Sequence, residues 1–190
     1  MRHEERMGLA RPRPSGRLWL VPGVLVLATA GCSARLWAVN RLGDALAGAG
    51  SGWAGDEDPE LVRDATPFAL KTIESLLAES PRHRGLLLAA ASGFTQYAYA
   101  FLQQEADEVE ATDPERAEAL RHRARGLYRR ARDYGLRGLE RDHPGLAVRL
   151  SRDPHAALSE MQPADVPFLY WTAAAWGAWI GLSKDKPARL

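Results

Sequence analysis

Three Asp-Pro pairs punctuate this chain: Asp58-Pro59, Asp113-Pro114 and Asp153-Pro154. An aspartate just ahead of a helix accepts hydrogen bonds from the free N–H groups of the first turn. Proline fits the next position, where no N–H is needed. Each pair therefore predicts a helix start, and Asp165, ahead of Val166 and Pro167, is a fourth such mark. Between the marks the apolar residues recur at helical spacing. After Pro59 they are Leu61, Ala65, Phe68, Ile73, Leu76 and Leu77. Pro67 is expected to kink that helix or restart it at Thr66, since proline lacks an N–H and clashes with the preceding turn. Residues 84–110 read as one long helix, apolar nearly all round in its first part and so buried on several sides. Residues 114–141 read as an amphipathic helix with Ala117, Leu120, Ala124, Leu127, Ala131 and Tyr134 on one stripe. Residues 154–160 suggest a short helical turn and 166–183 a last, apolar helix. Valine and isoleucine are sparse and no segment alternates, so no strand is expected. The fold class is all-α. Pro81, Pro114 and Pro144 lie 33 and 30 residues apart. That spacing is near the ~34-residue period of helix-turn-helix repeats; without a full repeat consensus it points to a degenerate, tetratricopeptide-like stack of helical hairpins, the alternative being an irregular helical bundle.

The first 31 residues read as an address. Residues 1–17 hold five arginines, and Leu18–Ala30 is an apolar stretch of 13 residues, too short to span a bilayer but suited to a signal-peptide core. It ends in Thr29-Ala30-Gly31-Cys32, which resembles a bacterial lipobox, although Thr29 stands where that signal usually has leucine. The resemblance implies cleavage before Cys32 and lipidation of its thiol, with Ser33 leaning toward the outer membrane. Two or three acyl chains anchor firmly where one does not. The expected organisation is a signal peptide over 1–31, then a lipid anchor, a short helix over 33–47 and a Gly-rich tether within 32–57, and an all-α domain over 58–190. Cys32 is the single cysteine, so the chain forms no internal disulfide. The whole chain carries a net charge of +1. From Cys32 onward there are 20 basic and 22 acidic residues, a net charge of −2.

Two apolar segments carry polar or aromatic groups that suit a ligand pocket. They are Gly93–Phe101, with Gln96 and Tyr97, and Tyr170–Trp179, with Trp171, Thr172 and Trp176. Phe168, Thr172, Trp176 and Trp179 share a helical stripe, and Ala174, Gly177 and Gly181 form a small-residue stripe that would let another helix approach. Apolar walls with a few polar groups suit a small solute, and the competing reading is plain core packing. Eight arginines lie between residues 121 and 141, behind an acidic run over 105–115. A self-compensating face is the default there, with Asp133 expected to pair along the helix with Arg129 and Arg137. The rival is a surface for anionic lipid or an acidic protein patch. No HExxH, GxSxG, phosphate loop or dinucleotide fingerprint occurs, and no histidines share metal-binding spacing. No catalytic residue, metal site or cofactor is expected, and nucleic acid is not an expected partner. An enzyme would need His143 or His155 to meet a carboxylate or hydroxyl in a cleft.

The string from Asp58 to Glu108, DPELVRDATPFALKTIESLLAESPRHRGLLLAAASGFTQYAYAFLQQEADE, resembles the T-component lipoproteins of tripartite ATP-independent periplasmic (TRAP) transporters. LYRRARDYGLRGLE, HPG and DVPFLYWTAAAWGAWIGLS extend the likeness, which runs over about residues 30–187. The resemblance implies hairpins of tetratricopeptide-like type and a homo-oligomer, a homotrimer. It also implies partnership with the transporter's periplasmic substrate-binding protein and an apolar channel for an apolar or organic-acid solute. Gln96, Tyr97, Trp171, Thr172 and Trp176 fall in the matching segments and are the candidate lining residues. The expected location is the cell envelope, facing the periplasm and anchored through Cys32, the outer membrane favoured over the inner. The alternative is a tetratricopeptide-like scaffold lipoprotein for envelope assembly, with no ligand channel.

Overall fold

A computed structural model describes the backbone of residues 20–48 and 55–184, with side chains from residue 34 onward. Residues 1–19, the Cys32 side chain and residues 49–54 of the Gly-rich segment lie outside the described residues. The chain divides into two compact units, residues 1–37 and 38–190. The described residues are helical, without strands. None of their helices is long and apolar enough to cross a membrane.

Helix α1 spans Leu20–Gly48, longer at its start than the helix expected over 33–47. Its leading residues are rich in leucine and alanine, and Pro22 falls in the first turn, where proline is tolerated. Helix α2 spans Pro59–Glu79. The Asp58 carboxylate accepts the N–H groups of Glu60 and Leu61 at 3.1 and 3.0 Å. This helix continues through Pro67 instead of restarting at Thr66. Pro67 is exposed, so the carbonyl left without a donor can be met by water. Helix α3 (Arg84–Tyr97) leads into a π-helical turn, Ala98–Gln103, and then α4 (Gln104–Val109). The expected single helix over 84–110 thus contains a wider turn, a local feature that apolar spacing does not reveal.

Helix α5 spans Pro114–Asp142, with Asp113 accepting the Arg116 N–H at 3.0 Å. A two-turn helix α6 (Leu146–Arg152) was not marked by the sequence pattern. It begins after Gly145, which adopts φ 78°, a left-handed conformation that glycine takes without strain. Its start is satisfied from a distance, because the Glu140 carboxylate accepts the N–H groups of Gly145 and Ala147, each at 2.7 Å. Helix α7 (Pro154–Ser159) starts at the third Asp-Pro pair, with Asp153 accepting the Ala156 N–H at 3.0 Å. A 3-10 turn, Pro163–Asp165, precedes α8 (Val166–Ser183). Asp165 stands at that boundary as expected, yet its side chain does not cap α8. It accepts the Gln162 N–H at 3.0 Å and meets His143 instead.

The core lies where α3 and α8 pack against α5. Leu86, Leu87, Tyr128, Leu139, Leu146 and Phe168 are its largest fully buried side chains. Burying a side chain such as Leu86 or Phe168 contributes about 1.5–3 kcal/mol. Two glycines on α5 make the α8 contact possible: a Cβ at Gly138 would collide with the Phe168 ring, and one at Gly135 with Thr172. The expected close approach along Ala174, Gly177 and Gly181 is not what the fold uses. Gly177 and Gly181 face open space, because α8 is turned so that Phe168, Thr172 and Ala175 meet the notch on α5. Arg125 ties the far end of α8 by donating to the Leu182 carbonyl at 2.9 Å.

Candidate functional site

An open apolar cavity of about 270 Å³ lies between the end of α1, α2 and α3 with its π-helical turn. Leu46 and Ala47 come from α1, and Val62, Thr66, Ala69, Leu70 and Ile73 from α2. Ala89, Ser92, Gly93, Gln96, Tyr97, Ala100 and Phe101 complete the wall. No lining residue is charged. The few polar groups are largely used locally: Thr66 Oγ1 donates to the Val62 carbonyl at 2.6 Å, and Ser92 Oγ to the Ala89 carbonyl at 3.3 Å. The Gln96 amide nitrogen donates to the Ser92 carbonyl at 3.3 Å. Tyr97, just before the π-helical turn, and Phe101, within it, have ring centroids 5.5 Å apart. Gly93 permits the helix pairing beside the cavity, since a Cβ there would meet Leu70 at 2.8 Å.

The wall that α1 supplies is held by close contacts. Gly43 and Gly85 let α1 and α3 meet, for a Cβ on Gly43 would come 2.9 Å from Leu86 and one on Gly85 2.9 Å from Ala47. His83 bridges the joint. Its Nδ1 accepts the Leu86 N–H at 3.2 Å, so its Nε2 carries the proton that it gives to the Asn40 carbonyl, also at 3.2 Å. Ser80 Oγ donates to Asn40 Oδ1 at 2.8 Å.

The five lining candidates divide between two places. Gln96 and Tyr97 border the cavity. Trp171, Thr172 and Trp176 sit on α8 and are not among its lining residues. Thr172 is buried, and its hydroxyl has no hydrogen-bond partner. The half-buried Trp171 stands edge-on to Tyr170 at 4.9 Å, and Trp176 is 37% exposed beneath the Arg132 guanidinium. Residues of α1 and α2 that form much of the wall carry no sequence signal beyond their helical spacing, which marks burial and not a shared cavity.

The arginine-rich helix compensates much of its charge. Arg121 bridges Glu110 and Asp107, Arg116 pairs with Glu105, and Arg125 pairs with Glu118. Asp133 binds its neighbour Arg132, not Arg129 or Arg137 as the i,i+4 spacing suggested. Arg132 in turn lies over Trp176 and Trp179 at 5.5 and 5.0 Å. His143 does meet a carboxylate, with Nε2 2.8 Å from Asp165 Oδ2. The other oxygen of Asp165 faces Arg84 at 3.8 Å, and Arg84 also pairs with Asp142. The Gln162 N–H, helped by His143 and Arg84, holds the Asp165 carboxyl below the usual range despite desolvation. This partly exposed cluster around the buried Asp165 joins the start of α3 and the end of α5 to the turn before α8, and it is built as a structural tie. Among the described residues no group of three His, Cys, Asp or Glu is placed to hold a metal.

The family model described as TRAP transporter T-component matches residues 55–190. An uncharacterized protein of Treponema pallidum (strain Nichols) is 31% identical over 90% of this chain. The match covers 58% of that relative, so this chain spans less than two thirds of its length.

Proposed function

The chain belongs to the family of TRAP transporter T-components, and on that premise we propose that it serves such a transporter from the cell envelope, binding the periplasmic substrate-binding protein and receiving an apolar solute in the cavity between α1, α2 and α3. The family has an accessory role in transport and does not imply an enzyme. The carrying observation is the lining itself: fourteen residues with no charge among them, including Gln96 and Tyr97 at one side. A carboxylate moved there would give up part of its hydration without meeting a cation, which is unfavourable. The lining therefore favours an apolar solute over an organic acid.

Lipidation at Cys32 would hold the chain at the membrane, the outer membrane favoured by Ser33. The Gly-rich segment would set its reach, so that tethering raises the effective concentration of a partner without stronger contacts. The helical hairpins, stacked in tetratricopeptide-like fashion, would present the partner surface. A homo-oligomer, the homotrimer implied by the resemblance, is supported by the uncharged α8, which leaves Val166, Tyr170 and Ile180 exposed.

The test is affinity capture of the acylated protein from envelope extracts, with mass spectrometry of co-purifying proteins and extracted small molecules. Recovery of a TRAP substrate-binding protein together with an apolar compound is expected. Absence of any such binding protein would count against the transporter role. Recovery of the binding protein equally well by a cavity-filled variant, with no small molecule from either, would favour the scaffold reading.

A further inference from the structure

Helix α5 carries a second concave surface, made of different residues from the cavity. Arg129, Arg130, Asp133, Tyr134 and Arg137 border a depression of about 420 Å³. The Phe94 and Tyr134 rings stack nearly parallel, 6.0 Å apart and 9° from coplanar orientation. The Arg130 guanidinium sits 5.2 Å from the Phe94 ring centre, and that of Arg137 sits 5.2 Å from the Tyr134 ring centre. Two cations are thus positioned by aromatic faces before any partner arrives.

Acidic groups do not balance this surface. Glu74 lies 3.4 Å from Arg130, but it is also bound by Lys71 at 2.6 Å and by the Tyr134 hydroxyl at 2.9 Å. Asp133 is committed to Arg132. Arg137 gives one N–H to the Pro81 carbonyl at 3.1 Å, a neutral acceptor that leaves its charge unmatched. Arg129 is exposed and carries no ion pair among the described residues.

We propose that Arg129, Arg130 and Arg137 form a docking surface for an acidic segment of a protein partner. A guanidinium fork matches a carboxylate with two parallel hydrogen bonds. Stacking on a ring removes part of the side-chain entropy that such a contact otherwise costs. In a second copy of this chain Glu105, Asp107 and Glu110 are already engaged by Arg116 and Arg121, so that part of its acidic run is a poor occupant. A flat anionic membrane fits less well, since Asp133 interrupts the cations and the chain from Cys32 onward is net negative. Contacts at this exposed depth are screened by salt, so the surface would act chiefly on orientation and association rate.

Fluorescence anisotropy of a labelled glutamate-rich dodecapeptide against the full chain tests this directly, with phosphatidylglycerol vesicles as a parallel arm. Binding that weakens with salt is expected, and the double variant Arg129→Glu/Arg137→Glu should weaken it about tenfold or more. Replacement of both by lysine should weaken it less than glutamate but measurably, because charge is kept and the fork is lost. Arg123→Glu, a single Arg→Glu change at another exposed site on α5, should leave binding within about twofold. The cavity-filling Ala100→Trp should bind the peptide as the parent does, which separates failure here from failure of the solute reading. Equal losses in Arg123→Glu and the double variant, or capture by vesicles without peptide binding, would overturn the proposal.

Discussion

Gly135 and Gly138 admit α8 to α5, and a single methyl at either position has nowhere to go. Gly138→Ala should lower stability by about 1–3 kcal/mol, read as a drop in the denaturant midpoint, because the Phe168 ring must shift. Thr172→Val is expected to be neutral or stabilising by up to about 1 kcal/mol, since it removes a buried hydroxyl that has no partner. A loss above that range would mean the hydroxyl is satisfied after all. The tie at Asp165 predicts a pH dependence. Its carboxyl titrates below the ordinary value of 3.8, so its stabilisation is complete above that value and is lost as pH falls through the lower folded value. Melting temperature against pH should fall less steeply at acid pH in Asp165→Asn, from a lower plateau at neutral pH. The sequence marks Thr172 and Asp165 as unusual, one polar in an apolar run and one ahead of a proline. Their partners Gly135 and His143 lie in other elements, and spacing along the chain cannot supply them.

Among the elements, α2, α5 and α7 begin where the Asp-Pro pairs predict, because each cap is made within three residues of the aspartate. Helix α6 escapes that logic, as its first N–H groups are met by Glu140 from the preceding helix. The facing of α8 is hidden for another reason. The stripe of Phe168, Thr172, Trp176 and Trp179 includes the buried Phe168 and Thr172, but a helix apolar nearly all round does not show which of its stripes is buried, and the notch that selects it lies on α5. The end of α1 is held to α3 through glycines, so Gly85→Val should displace Ala47 and loosen this wall of the cavity. Amide hydrogen exchange over residues 40–48 is expected to quicken while α5 and α8 keep their protection; unchanged exchange would show that the joint tolerates the added bulk.

At the scale of the molecule, the exposed face of α8 and the uncharged cavity join the arginine depression on α5 as surfaces among the described residues that a solitary chain leaves unexplained. Tyr170 is 62% exposed on a helix with no charged residue. Light scattering should find an oligomer that Tyr170→Glu/Ile180→Glu converts to monomer without loss of helicity. A monomeric parent would remove the support that α8 lends to self-association. The all-α class is legible from periodicity and capping signals alone. The gathering of Gln96 and Tyr97 with α1 and α2, and the separate place of Trp171, Thr172 and Trp176, are tertiary facts. The most direct measurement is titration of the full chain with an uncharged fluorescent apolar probe and, separately, with a short dicarboxylate, in the parent and in Ala100→Trp. Saturable binding of the apolar probe, lost in the variant, and no binding of the dicarboxylate are expected. Saturable dicarboxylate binding, or apolar binding that Ala100→Trp leaves intact, would contradict it.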